Sequence, residues 1–316
     1  MKRWLPFAVL ALAGLAVIVF VERRETDTQV GAHAILHLIA DSEREANRLP
    51  ARVWRLNDEE EVRIGDEMAE RYLAGAGLLS EDREQQRIQA YVTRVGTSVS
   101  AYAHRKLPYR FHYIPDSNMI NAFSLPGGHV FIGGGMIALM RNEDELAAVL
   151  GHEVEHIDLR HCAERVQFEA QMRKLNLEAI GQAVALPISL FKAGYSKELE
   201  LEADREGTQL AVQAGYSPEG AIRMFEAMEQ KYKTESQRAA NSPQEEAARV
   251  ALETLQGYFE SHPPVEERIA QIEQVTLARK WPEREMRPLA PAIAAIFRRQ
   301  REPLASDDQA PPRILR

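Results

Sequence analysis

Residues Gly151 to His161 read GHEVEHIDLRH and combine residue types that can carry hydrolytic chemistry. His152 and His156 are four positions apart, so both imidazoles project from one face of a helix, within reach of a single ion. Glu153 is offset from that face and would meet a water molecule instead of the ion. In this HExxH arrangement the histidines bind zinc, which lowers the pKa of a water to about 7, and the glutamate accepts its proton. The stretch predicts metal-assisted hydrolysis.

The alternative interpretation is a solvated helix face that is rich in histidine and glutamate. In a chain with nine histidines, an HExxH pattern arises by chance on the order of a few times in a hundred. The preceding turns are apolar at Leu146, Ala147, Val149 and Leu150, which predicts a buried helix. A pair of histidines without a ligand would be costly there, so the metal site is favoured.

A hydrolytic zinc site needs a third protein ligand. The spacing HExxHxxGxxH would require a glycine at Leu159 and a histidine at Cys162, so that solution fails. On a continuous helix His161 would point about 100° away from the ligand face. We therefore predict a structural or surface role for it. A single cysteine also excludes the zinc patterns that use several cysteines.

A glutamate from a second helix is the remaining option. The segment ELELEAD offers three, at Glu198, Glu200 and Glu202. Glu200 shares a helix face with Asp204, whereas Glu198 and Glu202 share another. Because such sites pair a ligand with a carboxylate that hydrogen-bonds a ligand imidazole, the spacing favours Glu200 with Asp204, but does not by itself exclude the others.

The elements that would position these residues predict a mainly helical α+β fold. Helical spacing of apolar residues covers Glu59 to Ala74 and Arg83 to Ala103. Aromatic and β-branched runs follow, over Tyr109 to Asp116 and Asn118 to Gly135. The second run is broken by Pro-Gly-Gly and predicts strands joined by a turn. Helix resumes after Asn142, a plausible N-cap.

The chain organisation predicts four parts. Residues 1–25 contain the uncharged stretch Leu5 to Val21, which is an N-terminal membrane anchor or a signal segment, with an uncleaved anchor favoured. Residues 26–57 form a stalk, 58–280 a metallopeptidase domain, and 281–316 a partly disordered C-terminal tail. We expect a bacterial envelope protein, anchored in the inner membrane with its domain in the periplasm, or periplasmic if the segment is cleaved. The net charge of −8 argues against a nucleic-acid partner.

Four ordered motifs carry a family resemblance: NAFSLPGGHVFIGGGMI, HEVEH, ELEAD and SHPPVEERI. From about Glu59 to Ala278 the chain resembles the HtpX-type and CAAX prenyl protease family of gluzincin zinc metalloendopeptidases, nearest the periplasmic branch that includes the β-barrel assembly-enhancing protease. The resemblance implies one zinc ion per chain. Its ligands would be His152, His156 and Glu200, with Glu153 as the catalytic base and Asp204 as the carboxylate behind a ligand.

The same resemblance points to two further features. Asn121, Ala122 and Phe123 match the edge strand along which an extended substrate pairs through its backbone, although an ordinary strand explains them as well. In some relatives, a histidine that precedes a proline approaches the zinc and restrains activity. His262 also precedes a proline and matches that histidine. A plain histidine at a helix start is the other interpretation.

We therefore expect a zinc-dependent endopeptidase that hydrolyses peptide bonds in unfolded or misassembled envelope proteins, as protein quality control. Its partners would be those misfolded chains and, through the N-terminal segment, the membrane. The alternative is a chaperone-like protein that holds client chains and keeps a zinc site, with little proteolysis. An intact Glu153 argues against that alternative.

Overall fold

The computed structural model describes residues 56–75, 82–172, 186–241 and 262–301, together with 252–253, 255–257 and 259. Helices dominate these residues, and the predicted α+β class with a small sheet is confirmed. The helices are α1 Asp58–Gly75, α2 Arg83–Ser100, α3 Gly134–Leu139, α4 Glu143–Asp158, α5 His161–Met172, α6 Ser189–Lys192, α7 Lys197–Gln213, α8 Glu219–Asn241, α9 Val265–Arg279 and α10 Pro291–Arg301. The strands are β1 Arg110–Ile114, β2 Ala122–Leu125 and β3 His129–Gly133.

The sheet has the strand order β1-β3-β2. Strand β2 runs antiparallel to β3, and β1 runs parallel to it. The turn between β2 and β3 is the predicted Pro-Gly-Gly, Pro126–Gly128. Gly127 has a φ of 77°, and a Cβ there would lie 2.5 Å from the Cα of Val62 in α1. Only glycine therefore allows this turn both its conformation and its contact with α1.

Helix α4 lies at the centre of the domain. Leu146, Leu150, Val154 and Ile157 follow one another at helical spacing and are fully buried. The helix packs against α2, α7 and α8 and against β2 and β3. Asn142 is its N-cap as predicted. With so many neighbours, α4 holds its side chains in fixed positions, which a catalytic or metal site requires.

Two glycines bring α4 and α7 into backbone contact. A Cβ on Gly151 would lie 2.5 Å from the backbone oxygen of Gly207, and a Cβ on Gly207 would lie 2.5 Å from the nitrogen of His152. Any larger residue at either position would force the helices apart. This close crossing brings the HExxH residues of α4 within reach of the carboxylates of α7.

The C-terminal residues predicted as a tail include part of the core. Helix α10 packs against α2 and α3, and Ile293, Ile296 and Phe297 are buried. The packed region therefore extends beyond residue 280, where the sequence analysis ended the domain.

The predicted membrane segment at residues 1–25 and nearly all of the predicted stalk lie outside the described residues. Among the helices that the structure does describe, none has both the length and the apolar content needed to cross a bilayer.

Candidate metal centre

Three side chains from α4 and α7 converge on one point. The Nε2 atoms of His152 and His156 are 3.0 Å apart. From Glu200, Oε2 lies 3.4 Å from His152 Nε2 and Oε1 lies 3.7 Å from His156 Nε2. These residues form a group whose potential ligand atoms all lie within 4.8 Å of one another. The structure thus brings together the three residues predicted as metal ligands.

The geometry and chemistry of the group fit a metal ion. Tetrahedral ligands at the usual zinc distances lie about 3.3 Å from one another, close to the separations seen here. Two imidazole Nε2 atoms at 3.0 Å repel unless a proton or a cation lies between them. Glu200 is 0% exposed and its Oε2 accepts no hydrogen bond. A buried carboxylate oxygen without a donor favours a cation as its partner.

The charges around the group agree with this interpretation. Burial would raise the pKa of Glu200, but His262 and the two ligand histidines hold it well below its usual value, so the carboxylate is ionised. Burial lowers the pKa of His156 well below its usual range, so that imidazole is neutral. Ionised carboxylate and neutral imidazole are the states in which these side chains bind metals. Burial would lower the pKa of His152, but Asp204 and Glu200 raise it to about 10, so metal binding at this ring would release a proton.

Asp204 lies behind His152, one turn after Glu200 on α7. Its Oδ1 is 2.9 Å from His152 Nδ1. Burial opposes ionisation, yet Arg268 keeps the pKa of Asp204 below its ordinary value. Nε and Nη2 of Arg268 donate to the two Asp204 oxygens at 2.7 and 2.6 Å. The structure thus places the predicted carboxylate against a ligand imidazole, where it can fix the orientation of the ring.

Arg268 is a functional residue that the sequence analysis missed. It lies on α9 and is 1% exposed. Its guanidinium also lies 3.8 Å from Glu200 Oε2. A buried arginine needs a carboxylate partner, and its partner Asp204 is 64 residues away along the chain. The only signal was its position within the SHPPVEERI motif.

His161, predicted to be structural or at the surface, lies buried behind His156. Helix α4 ends at Asp158, and Arg160 adopts a left-handed φ of 70° before α5 begins at His161. The chain therefore turns back, and His161 Nδ1 lies 2.9 Å from His156 Nδ1. His161 is 3% exposed, and its Nε2 faces Glu202 Oε2 at 3.7 Å. It contacts the ring nitrogen of His156 that faces away from the centre.

Tyr195 is a second residue that the sequence analysis missed. Its ring stacks on that of His156 with centroids 4.2 Å apart. Its backbone N–H donates to Glu200 Oε1 at 2.7 Å. Its hydroxyl donates to the sulfur of Cys162 at 3.2 Å, so this buried cysteine lies in the core next to Tyr195. One residue therefore steadies two of the three candidate ligands.

Glu153 lines the cleft beside the centre, together with His152. It is 7% exposed, and burial raises the pKa of its carboxyl to about 7. A group with a pKa near neutrality can both accept and donate a proton at physiological pH. Its position and its titration suit the role of a general base.

The remaining predicted site residues are His262 and the strand residues Asn121, Ala122 and Phe123. His262 Nε2 is 3.5 Å from Glu200 Oε2. Ala122 and Phe123 belong to β2, which is an edge strand of the described sheet. Asn121 and Ala122 line the cleft, whereas Phe123 is buried and stacks on Phe131. The short helix α6 lies beside this strand, and Asn121 Nδ2 donates to Lys192 O at 3.4 Å.

Comparison with known proteins agrees with this site. The chain is 31% identical over 195 residues to the mitochondrial metalloendopeptidase OMA1 of Schizosaccharomyces pombe, covering 58% of this chain and 52% of that protein. It is 28% identical over 164 residues to a putative β-barrel assembly-enhancing protease of Vibrio cholerae, covering 46% and 34%. It is 26% identical over 189 residues to the β-barrel assembly-enhancing protease of Escherichia coli K12, covering 54% and 37%.

The matched region thus spans about half or less of each of these relatives. A family model covers more of this chain than any of these three relatives does. The model for peptidase family M48 matches residues 82–276, from the start of α2 nearly to the end of α9. All the candidate ligands, Glu153 and Arg268 fall within that match. The chain belongs to peptidase family M48.

Proposed function

We propose that this protein is a zinc-dependent endopeptidase that hydrolyses peptide bonds in unfolded or misassembled proteins of the bacterial cell envelope. The observation that carries the proposal is the convergence of His152, His156 and Glu200 in a cleft that Glu153 lines. Two histidines and a glutamate are a known ligand set of catalytic zinc. Membership of a peptidase family supports the same reaction class.

His152, His156 and Glu200 would hold the ion. When bound, zinc supplies Lewis-acid chemistry, polarising a carbonyl oxygen and acidifying water. Asp204 and His161 contact the Nδ1 atoms of the two histidines, so both rings keep Nε2 directed inward. Arg268 holds Asp204 in turn through two hydrogen bonds.

Glu153 would transfer protons. A Glu153 carboxylate oxygen accepts a proton from the attacking water and then donates it to the nitrogen of the leaving amine. Its pKa of about 7 suits both directions of transfer. Burial of the centre excludes bulk water, which strengthens these electrostatic interactions.

The test is digestion of casein by the wild type and by Glu153→Gln, with zinc content measured for both. We expect Glu153→Gln to retain zinc and to lose at least about 100-fold in activity, because proton transfer contributes that much or more. Equal cleavage by both proteins would rule out the mechanism. No cleavage by either would favour the chaperone-like alternative.

Glu155→Gln is a matched control on the same helix. Glu155 is as deeply buried as Glu153, and neither of its oxygens accepts a hydrogen bond. Burial raises its pKa to about 8, so its side chain is largely neutral already and glutamine is a close substitute. We expect Glu155→Gln to cleave casein at a rate close to that of the wild type.

The envelope location is part of the proposal. It is supported by the apolar N-terminal stretch and by relatives whose names refer to β-barrel assembly. Fractionation of cells that express the full chain tests it. Recovery in the membrane fraction, with the domain accessible to protease from the periplasmic side, is the expected result, and a cytosolic protein would contradict it.

A further inference from the structure

The ring of Tyr195 lies between two other planar groups. It stacks on the imidazole of His156, with the centroids 4.2 Å apart and the planes 20° apart. The guanidinium carbon of Arg165 lies 3.8 Å from the same phenol centroid. Two planar groups this close to the centre of one ring are too wide to lie side by side on one face. The guanidinium and the imidazole therefore lie on opposite faces, and the three side chains form one stack.

Arg165 also holds the chain that leads into α7. It lies on α5 and is 8% exposed, and its Nη1 donates to the backbone oxygen of Leu190 in α6 at 2.5 Å. Between Leu190 and Tyr195 the backbone bends at Gly194, which has a left-handed φ of 72°. Arg165 therefore contacts this segment on both sides of the bend, through a hydrogen bond before it and an aromatic ring after it.

The partners of Arg165 are unusual for a buried cation. Among the residues that the structure describes, no carboxylate forms an ion pair with Arg165, whereas the buried Arg268 is paired with Asp204 at 2.6 Å. The attraction between a cation and the face of an aromatic ring is stronger when both are desolvated. We therefore expect the ring of Tyr195 to contribute much of the stabilisation of this guanidinium, and the guanidinium to restrain the ring in turn.

Tyr195 connects this restraint to two candidate ligands. Its ring lies against His156, and its backbone N–H donates to Glu200 Oε1 at 2.7 Å. His161 already contacts Nδ1 of His156. A hydrogen bond in the plane of the imidazole fixes its edge, whereas a stacked group restricts its rotation out of that plane. The contacts of His161 and Tyr195 thus limit different motions of one ligand.

From these observations we infer that Arg165 is a positioning residue of the metal centre, which holds Tyr195 against His156 and thereby raises the affinity for the ion. The inference rests on the proposed function and adds to it a residue that acts through another side chain. With a mobile Tyr195, His156 and Glu200 would have more orientations open to them. The ion would then have to order both ligands on binding, which weakens its affinity.

The first test measures the zinc affinity of the folded, metal-free protein by competition with a chelator. We expect Arg165→Gln to bind zinc about 10-fold more weakly than the wild type, because groups behind ligand histidines contribute at least that much. An arginine that served only the stability of the fold would leave the affinity of the folded protein unchanged. Wild-type affinity in a folded Arg165→Gln would therefore overturn the inference.

Arg287→Gln is the matched control. The guanidinium of Arg287 lies over the ring of Tyr216, 4.5 Å from the centroid, and its Nη2 donates to Gly215 O at 2.7 Å. It thus makes the same two kinds of contact as Arg165. The hydroxyl of Tyr216, however, donates to Glu143 at the start of α4, away from the ligands. We expect this variant to keep the wild-type zinc affinity, and a loss equal to that of Arg165→Gln would contradict a specific role for Arg165.

The second test asks whether Arg165 acts through Tyr195. Tyr195→Leu removes the aromatic ring, and we expect zinc affinity to fall about 10- to 100-fold. Adding Arg165→Gln to Tyr195→Leu should then weaken binding by less than about 2-fold, because the guanidinium has no ring left to hold. If the two losses multiplied as independent effects, Arg165 would act by another route and the inference would be wrong.

Cobalt(II) in place of zinc gives a readout that does not depend on activity. Its visible absorption bands report the arrangement of the ligands, so at full occupancy we expect them to shift in Arg165→Gln and to stay unchanged in Arg287→Gln. Unchanged bands in Arg165→Gln would contradict the inference. If the affinities and spectra change as expected but casein is not cleaved, the proposed function fails and the inference stands. If casein is cleaved and Arg165→Gln keeps the wild-type affinity, the inference fails and the proposed function stands.

Discussion

Among the residues that the structure describes, the pair His152–His156 has the geometry of a metal site, whereas the pair His112–His129, which also lies beside a carboxylate, does not. In the metal centre, His152 and His156 face each other through Nε2 at 3.0 Å, with Glu200 completing a triangle. In the sheet, His112 on β1 and His129 on β3 are also 3.0 Å apart, through Nε2 of one and Nδ1 of the other. Both pairs combine the same residue types at the same distance.

The second ring nitrogen of each histidine makes the difference. In the metal centre, Asp204 and His161 contact the two Nδ1 atoms, so both Nε2 atoms are left to converge. In the sheet, His129 uses both nitrogens in a linear chain, because its Nε2 lies 2.8 Å from Asp66 Oδ1. Arg110 Nη1 already donates to that oxygen at 2.6 Å. A cationic side chain thus occupies the position that a metal ion would need.

The comparison shows that histidine and carboxylate composition does not define a metal site. What defines it is the convergence of three donor atoms, each held from behind by another group. Hydrogen bonds along a line satisfy the same side chains without an ion. Three predictions test this distinction.

The largest expected effect is the loss of the ion. Glu200→Ala removes one of the three ligands and leaves two histidines. We therefore expect the metal content to fall from about one ion per chain to near zero. Peptidase activity should fall to the background of the metal-free protein. Metal content by atomic emission spectroscopy and casein digestion measure the two effects.

His129→Asn is the matched change in the sheet pair. This variant removes one imidazole of a buried pair, just as Glu200→Ala removes one metal ligand. We nevertheless expect it to retain one metal ion per chain and full peptidase activity. If Glu200→Ala kept a full complement of tightly bound metal, or His129→Asn lost it, the distinction between convergent and linear clusters would be wrong.

A smaller effect is expected from the group behind His156. His161→Leu leaves the three ligands in place but removes the partner of His156 Nδ1. We expect metal affinity to fall about 10- to 100-fold, because outer partners of ligand histidines contribute that much. Competition with a chelator of known affinity measures it without reference to activity.

His161→Asn provides the rescue. Its side-chain oxygen can accept the hydrogen bond from His156 Nδ1 that leucine cannot, so it should recover part of the lost affinity. If His161→Leu and His161→Asn weakened metal binding equally, the role of His161 would be packing alone. Unchanged affinity in both variants would show that the contact is not needed.

The spacing of residues along α4 and α7 made the metal centre largely predictable. The pairs His152–His156 and Glu200–Asp204 are each four apart, so helix geometry alone places each pair on one face. The strand-turn-strand was predictable from Pro-Gly-Gly. Family resemblance singled out Glu200 among three candidate glutamates.

The features that were not predictable depend on contacts or turns without a local signal. The positions that end α4 are Leu159 and Arg160. Neither is a glycine or a proline, so nothing in the sequence marks the end of the helix before His161. The arginine adopts a left-handed conformation that L-residues seldom take. The contact of Gly151 with Gly207, and the pairing of Arg268 with Asp204, join segments more than 50 residues apart. Local periodicity carries no information on such pairs.

The smallest expected effect is an acid sensitivity that belongs to the sheet pair. Burial, with the nearby charges of His129 and Arg110, lowers the pKa of His112 to about 4, while the unfolded chain has the ordinary value of 6.5. The unfolded state therefore binds more protons between these values. The stability that the neutral imidazole contributes is complete above about pH 6.5 and is lost as the pH falls towards 4.

Integrating this difference from about pH 7.5 to about pH 5.5 gives a loss of about 1 kcal/mol in the free energy of unfolding. The glutamine of His112→Gln cannot be protonated. Over the same pH interval, we therefore expect the free energy of unfolding to fall by about 1 kcal/mol less in this variant than in the wild type. Urea unfolding of zinc-loaded proteins at both pH values measures the difference, because bound metal keeps His152 and His156 from titrating. Identical losses in the two proteins would show that the sheet pair titrates normally. The linear chain through His129 to Asp66 would then not hold His112 neutral, and the contrast with the metal centre would rest on geometry alone.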